Sequence, residues 1–252
     1  MFCLFLWGFK KYDSTKELID VGWCFRILRF LGCNSGFTVT WWRIPKLRLV
    51  SANKFPTRAE VNGGWAFPGK NAVWIYRDEE WDRVLIHECI HALLWDVVPT
   101  NNLKSCLESS LNNGLLTDAL FEAATELNAE WLWCIINSPL NDTTGKAWKL
   151  QREWQQKQAL EIIARNFNNT WSEDTSVFAY YVLKSVLAIN IGEFLMEWLS
   201  GTASTNNWCE KWESNKQSYY EMAKKYGSDS VNKSISTRMT NPILETTKYN
   251  NH

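Results

Sequence analysis

The sequence predicts an α+β protein in which a small N-terminal sheet packs on one buried helix and the C-terminal half is mainly helical. Two runs in the first third, residues 37–50 and 71–77, are rich in β-branched and aromatic residues, as is typical of strands. Apolar residues recur at helical spacing in most segments after residue 78. No linker interrupts the apolar segments, so we expect one domain, residues 1–226, followed by a polar and flexible tail, residues 227–252.

The overall composition is that of a neutral, core-forming protein. With 27 basic and 27 acidic residues, the chain of 252 residues has a formal net charge of zero. Nonspecific binding to nucleic acid needs a basic surface, so we expect no nucleic-acid partner. A hydrophobic fraction of 46% is enough for a buried core, and sixteen tryptophans predict an interior rich in aromatic rings.

The seven cysteines are scattered along the chain and form neither a disulfide framework nor a Cys-x-x-Cys metal motif. This usage favours a reducing compartment such as the cytoplasm. The apolar residues 1–9 are too few to span a bilayer, and no cleavage-site pattern follows them. We expect them to form a buried first strand, with contact to a membrane surface as the alternative. No other apolar run reaches transmembrane length without charge, so we expect no transmembrane segment.

A His-Glu-x-x-His sequence, residues 87–91, is the candidate functional centre. Residues four apart lie on one face of a helix, so His87 and His91 project in the same direction. Two imidazoles presented together suit Zn²⁺, and Glu88 is placed to reach a water on that metal. The only other histidine is the terminal His252. The alternative is a pair of ordinary core histidines.

The helix predicted to carry this motif runs from about residue 79 to about residue 96, with Asp78 as its N-terminal cap. It is apolar on nearly all sides and is therefore expected to be buried. Two buried imidazoles and a buried carboxylate are costly unless they are satisfied, and a bound metal would satisfy all three. Cys89, between the two histidines, is expected to be a core thiol.

A second, acidic helix is the expected source of a third ligand. A catalytic zinc takes three protein ligands and leaves the fourth position for water, and without another usable histidine the third should be a carboxylate. The helix predicted over residues 117–136, capped by Thr117, carries Glu122, Glu126 and Glu130 at intervals of four, with no basic residue to relieve their repulsion. Part of this acidic ridge is expected to point inward, towards a cation. The alternative is a solvated acidic face.

His87-Glu88-x-x-His91 followed by Glu122-x-x-x-Glu126 resembles the zincin metallopeptidases, in particular the gluzincin branch that includes thermolysin and neprilysin. The resemblance implies a zincin-like fold, with His87, His91 and Glu122 as zinc ligands and Glu126 as the carboxylate that orients an imidazole. The chain departs from the branch in two ways. Its second acid is Glu where Asp is commoner, and thirty residues separate His91 from Glu122. With a register one turn later, Glu126 is the ligand and Glu130 the orienting group.

A fainter resemblance covers more of the chain. Residues 60–64, the motif, the acidic helix and residues 175–181 together resemble uncharacterised zincin-like proteins of large DNA viruses. This resemblance implies a viral protein and supplies no activity.

The zincin resemblance implies two further roles. In zincins the strand before the motif helix is an edge strand that binds extended substrate, and residues 71–77 occupy that position. Residues 62–65 either line the cleft or form a hairpin turn. Zincins often use a downstream tyrosine or histidine to stabilise the oxyanion, which makes Tyr180 and Tyr181 candidates. The alternative is that both are interior tyrosines with hydrogen-bonded hydroxyls.

The predicted function is zinc-dependent hydrolysis of peptide bonds in a peptide or protein substrate. Zinc polarises the scissile carbonyl and acidifies the attacking water, and Glu88 passes that water's proton to the leaving amine. Three hypotheses compete with it: hydrolysis of a non-peptide amide, a non-catalytic zinc-stabilised protein such as a virion component, and a metal-free helical domain. The sequence leaves the oligomeric state open.

Overall fold

The computed structural model of the chain has a mixed α+β fold. The residues that it describes are 3–8, 14–96, 119–137, 144–165, 174–200, 206–230, 233–242 and 244. The chain forms two compact units. The first comprises Met1–Leu47, Gly63–Asp96 and Ala129–Ser138, and the second comprises Arg48–Asn62, Val97–Asn128 and Pro139–His252. The one-domain organisation of residues 1–226 stays a prediction.

The described residues form six strands, eight α-helices, one π-helix and one 3₁₀-helix. The strands are β1 (Cys3–Leu6), β2 (Thr38–Ile44), β3 (Leu49–Val50), β4 (Gly64–Ala66), β5 (Ala72–Arg77) and β6 (Ile235–Ser236). The α-helices are α1 (Ser14–Phe30), α2 (Arg58–Val61), α3 (Trp81–Ala92), α4 (Ala119–Asn137), α5 (Thr144–Arg165), α6 (Lys184–Leu187), α7 (Ile191–Ser200) and α8 (Asn206–Ser230). A π-helix, Phe178–Leu183, and a 3₁₀-helix, Ala188–Asn190, flank α6.

The first unit is built on a four-stranded sheet with the spatial order β1-β2-β5-β4. Strands β1, β2 and β5 are parallel, and β4 pairs antiparallel with β5. Strand β5 therefore has a neighbour on each side, and the prediction that residues 71–77 form the edge strand is wrong. The edge is β4, because the chain at Gly63 bonds to Tyr76 and folds residues 64–66 back along β5.

One face of this sheet is covered by the helix that carries the His-Glu-x-x-His motif. Val39, Trp41, Val73 and Ile75 alternate along β2 and β5 and are all buried. Helix α3 packs against β4 and β5, and α1 contacts α3. Every residue of α3 is buried, which confirms the expectation drawn from its apolar composition.

Helix α3 begins later and ends earlier than predicted. Asp78 is not its cap, because its carboxylate accepts a hydrogen bond from Arg43 Nε at 3.2 Å. The chain turns through a left-handed conformation at Glu80, with φ of 58°, and the helix starts at Trp81, whose ring stacks on Trp41 at 4.4 Å. It ends at Ala92 rather than near residue 96, because the backbone again turns left-handed, at Leu94.

The N-terminal strand forms as expected, but its side chains are not all buried. Phe5 is 53% exposed and Leu6 is 36% exposed. Strand β1 pairs with β2 on one side only, so it is the second edge of the sheet. The expectation of a first strand is therefore confirmed by its backbone pairing, but the expectation that the strand is buried is wrong, because none of its four side chains is buried.

The second unit is mainly helical, as predicted for the C-terminal half. Helix α5 packs against α8 and against the π-helix. Residues 178–200 form a succession of π, α, 3₁₀ and α segments rather than one regular helix. The predicted helix over residues 117–136 corresponds to α4, and its predicted cap, Thr117, lies outside the described residues.

Part of the segment predicted as a polar tail is packed within the second unit. Strand β6 pairs antiparallel with β3, and Met239 is buried. The side-chain amide of Gln151, in α5, makes two hydrogen bonds to this segment. Its Nε2 donates to the carbonyl of Met239 at 2.6 Å, and its Oε1 accepts from the backbone amide of Asn241 at 2.8 Å. Residues 231–232, 243 and 245–252 lie outside the described part of the chain.

One helical stretch, Phe178–Met196, is long and apolar enough to cross a membrane by length and composition alone. In the structure 61% of it is buried by the rest of the chain. A buried core helix meets the same criteria.

Candidate metal site

The two histidines of α3 face each other across one helical turn. His87 Nε2 and His91 Nε2 lie 3.0 Å apart, and the two rings are steeply inclined, at 76°. Both side chains are almost completely buried, with 6% and 8% exposure. The i, i+4 spacing on a regular helix therefore places both ring nitrogens at one point, as the sequence predicted.

Asp96 fixes the orientation of the second imidazole. Its carboxylate Oδ1 lies 2.9 Å from His91 Nδ1. With its Nδ1–H donated to Asp96, the ring of His91 keeps the lone pair of Nε2 directed at the point it shares with His87. The zincin resemblance implied such an orienting role for Glu126, whereas Asp96, which follows the end of α3, was not predicted from the sequence.

The third predicted ligand joins this group. Donor atoms of His87, His91 and Glu122 all lie within 4.8 Å of one another. Glu122 is partly exposed, whereas Glu126 and Glu130 are buried, so the acidic ridge does turn inward in part. Neither Glu126 nor Glu130 belongs to the group, which favours Glu122 over the register one turn later.

The donor set is chemically suited to zinc. Two imidazole nitrogens and one carboxylate form a combination that catalytic zinc uses, and three protein ligands leave one coordination position for water. The same donors also suit other divalent metals such as Co²⁺ and Ni²⁺, so zinc itself rests on the resemblance. Glu122, His87 and His91 are the residues that would hold the ion.

Comparisons with known proteins give no family for this chain. No protein-family model, no curated protein and no solved structure matches it.

The two candidate tyrosines have different environments. The hydroxyl of Tyr180, which is partly exposed, donates to Glu122 Oε2 at 3.0 Å. The hydroxyl of Tyr181 is buried and donates to the carbonyl of Thr237 at 2.8 Å. Tyr181 thus matches the alternative of an interior tyrosine, and the geometry favours Tyr180 as the residue beside the metal group. Both lie in the π-helix, a rare conformation that often occurs at functional sites.

Glu88 lies directly beneath the edge strand. A β-carbon added at Gly64 of β4 would lie 3.1 Å from Glu88 Cγ and 2.9 Å from Val84 Cγ1. The strand can approach α3 this closely because Gly64 has no side chain. Residues 62–65 therefore lead into a hairpin strand that packs against Glu88, as the hairpin alternative predicted. A cleft lined by this segment stays a prediction.

Cys89 of α3 lies beside two other buried thiols, Cys24 of α1 and Cys33. Burial raises the pKa of Cys89 well above its usual value, and the neighbouring Cys33 and Cys24 thiols and the Glu88 carboxylate add to that rise. Burial, with a contribution from Cys33, raises the pKa of Cys24 to about 12. Cys89 is fully buried and remains a protonated core thiol, as expected. The five cysteines whose state the structure describes are all free.

Proposed function

We propose that this chain is a zincin-like, zinc-dependent metallopeptidase. The observation that carries the proposal is the convergence of the two Nε2 atoms of His87 and His91, 3.0 Å apart and buried on one helix. The placement of Glu122 in the same group supports it. So does an antiparallel edge strand that runs beside the motif helix, since an extended peptide can add to such an edge.

His87, His91 and Glu122 would hold the metal in this proposal. Zinc, when bound, supplies a positive charge that polarises the scissile carbonyl and makes a water molecule more acidic. Asp96 orients His91, and Glu126 is assigned no direct contact with the metal. The sequence assigned Glu126 to a supporting position, and that role stays a prediction.

Glu88 is the proposed general base. Its carboxylate accepts the proton of the attacking water and transfers it to the amine that leaves. A substrate strand paired with the outer edge of β4 would lie beside Glu88, because Gly64 of β4 packs against the Glu88 side chain. Tyr180, whose hydroxyl already donates to Glu122, is the group we assign to the oxyanion that develops on the scissile carbonyl.

We further propose an extended peptide or protein as the substrate, in a reducing compartment such as the host cytoplasm or a virion. Backbone pairing to β4 would bind many sequences without reading their side chains. The five free cysteines fit a reducing environment. A formal net charge of zero is the reason that we assign no nucleic-acid partner.

A non-catalytic, zinc-stabilised protein is the second candidate. The observation that favours it is the low exposure of the motif side chains, with His87 and Glu88 at 6% each. A metal that is closed off from solvent stabilises a fold without catalysing a reaction.

The decisive experiment compares the wild-type chain with Glu88→Gln and with Glu153→Gln, an exposed residue of α5 that serves as the matched control. Metal content is measured by elemental analysis, and cleavage is measured on a library of extended peptides. We expect one zinc per chain in all three proteins, and a loss of cleavage of about 10²–10⁴-fold in Glu88→Gln alone.

The outcomes separate the candidates. Zinc without any cleavage by the wild type supports the structural protein. Absence of zinc from the purified wild type rejects both, and cleavage that persists in Glu88→Gln removes Glu88 from the mechanism.

A further inference from the structure

The face of the sheet that points away from α3 carries no charge in the four described strands. Strand alternation places Thr38, Thr40 and Trp42 of β2 on this face, because Val39 and Trp41 between them are buried on the other. The register extends the face across the sheet, with Phe5 opposite Thr40, Thr40 opposite Trp74 and Trp74 opposite Trp65. The remaining outward positions of β5 are Ala72 and Tyr76.

The aromatic rings on this face form one contiguous cluster around Trp65. Its ring stacks on Trp42 at 5.2 Å and on Trp74 at 5.7 Å, and Tyr76 lies 5.9 Å away. Phe67 continues the cluster by an edge contact with Trp74 at 5.6 Å. We call these five residues the aromatic face.

The aromatic face is exposed at Trp65 and Phe67 and half-buried at Trp42, Trp74 and Tyr76. Trp65 is 40% exposed and Phe67 is 57% exposed, and Phe5 at the other end of the same row is 53% exposed. Single exposed apolar side chains are ordinary on a protein surface, but a contiguous cluster of them marks an interaction site.

We propose that a second copy of this chain packs on the aromatic face, through a two-fold axis that brings the two sheets face to face. In such a dimer the aromatic face of one copy contacts the aromatic face of the other, so a charged side chain on it would lie near the same charge on the partner. A face without charged side chains avoids that repulsion. Sheets also pack readily on one another through rows of outward side chains, and aromatic residues are the ones enriched at the centres of interfaces.

The exposed area fits this partner. If a fully exposed aromatic side chain presents about 150–250 Å², the exposed parts of Phe5, Trp65 and Phe67 amount to roughly 230–370 Å² per copy. A standard interface buries about 800 Å² on each partner. These three rings thus supply about a third to nearly half of one side. The partly exposed residues between and beside them add to it: Trp42, Trp74, Tyr76, Thr38, Thr40 and Ala72.

Single-stranded nucleic acid also stacks on aromatic rings, but it needs a groove of cationic side chains to hold its backbone. The outward positions of the four described strands offer none, so this ligand is not favoured.

The test is sedimentation velocity of the full chain over a range of concentrations. We expect a species of twice 29.4 kDa for the wild type. Trp65→Lys and Phe67→Lys each place a charge on the face. Phe67 lies outside the strands, so its replacement leaves their pairing intact. Each variant should raise the dimer dissociation constant by about 30-fold or more, as expected for the loss of a central interface residue.

Leu18→Lys is the matched control, because Leu18 is 73% exposed on α1 and lies outside the sheet. It should leave the dimer intact. A wild type that sediments as a monomer at every concentration overturns the proposal, as does equal dissociation of Leu18→Lys and Phe67→Lys. A monomer whose tryptophan fluorescence responds to a neutral oligosaccharide would assign the face to carbohydrate instead.

Discussion

His91 is held at both nitrogens of its ring. Nδ1 is 2.9 Å from Asp96, and Nε2 is 3.0 Å from the same atom of His87. The Asp96 carboxylate selects the tautomer in which Nε2 carries the lone pair, which is the form that binds a metal. The position of one acid after the end of α3 therefore determines how well the imidazole is prepared for a metal.

Replacing Asp96 by Ala should weaken zinc binding by about 10–100-fold, since the loss of a group that orients a ligand histidine typically has this effect. Asp96→Asn is the conservative control, because its amide oxygen still accepts a hydrogen bond from Nδ1 and should restore much of the affinity. Competition with a coloured chelator measures both. Equal affinities for the wild type and Asp96→Ala would show that the metal does not depend on this contact.

At the residue scale, local periodicity made the histidine pair predictable. A helix repeats every few residues, so two side chains four apart share a face wherever the helix sits. Asp96 lies beyond the point where the backbone turns left-handed at Leu94, with φ of 58°. No periodic pattern extends across such a turn, and the sequence therefore did not connect Asp96 with His91.

At the element scale, the contact between β4 and α3 depends on one glycine. A β-carbon at Gly64 would lie 2.6 Å from the carbonyl oxygen of Trp74 and 2.9 Å from Val84 Cγ1. Neither neighbour is the free end of a flexible side chain. The strand must shift away from the helix to accept any larger residue.

Gly64→Ala should therefore lower the free energy of unfolding by about 1–3 kcal/mol, the usual cost of overpacking a tight interior. Gly22→Ala is the control, and its expected effect on stability has the opposite sign. It lies within α1 with no atom near its added β-carbon, and should raise stability by up to about 1 kcal/mol. Urea denaturation of both variants measures the difference. Equal stabilities of the two variants would mean that β4 does not pack against α3 as closely as described.

The edge of the sheet was mispredicted because β4 has only three residues, Gly64, Trp65 and Ala66. A run of three residues is too short to show the alternation of apolar and polar residues that marks a strand, and its glycine is typical of a turn. The strand exists because a hairpin folds it onto β5, and such pairing is decided by tertiary contacts. Longer strands such as β2 and β5 carry enough alternation to be recognised from their residues alone.

At the scale of the whole molecule, a bound metal should stabilise the folded state by mass action. The gain is about 4 kcal/mol when free zinc exceeds its dissociation constant by 1,000-fold. We expect a chelator to lower the Tm of the wild type and to leave the Tm of His91→Ala unchanged, as measured by differential scanning calorimetry. A wild-type Tm that does not respond to the chelator would contradict the metal site.

The fold class was predictable because strands and helices differ in the period of their apolar residues. The packing of the C-terminal segment was not. Residues 239–241 are held by Gln151, almost ninety positions earlier in the chain. Hydrogen bonds between residues so far apart in the sequence cannot be predicted from the local pattern of residues. A segment rich in Ser, Thr and Asn was therefore predicted to be a tail.

The number of residues in the π-helix, Phe178–Leu183, determines the direction in which the side chains after it point. Each residue of an α-helix turns the chain by about 100°, so inserting or deleting one residue here would rotate every later side chain relative to Tyr180 and its bond to Glu122. Substitutions in the segment should often be tolerated, whereas changes of length should not. Natural variation in this part of the chain is therefore expected to alter its residues and conserve their number.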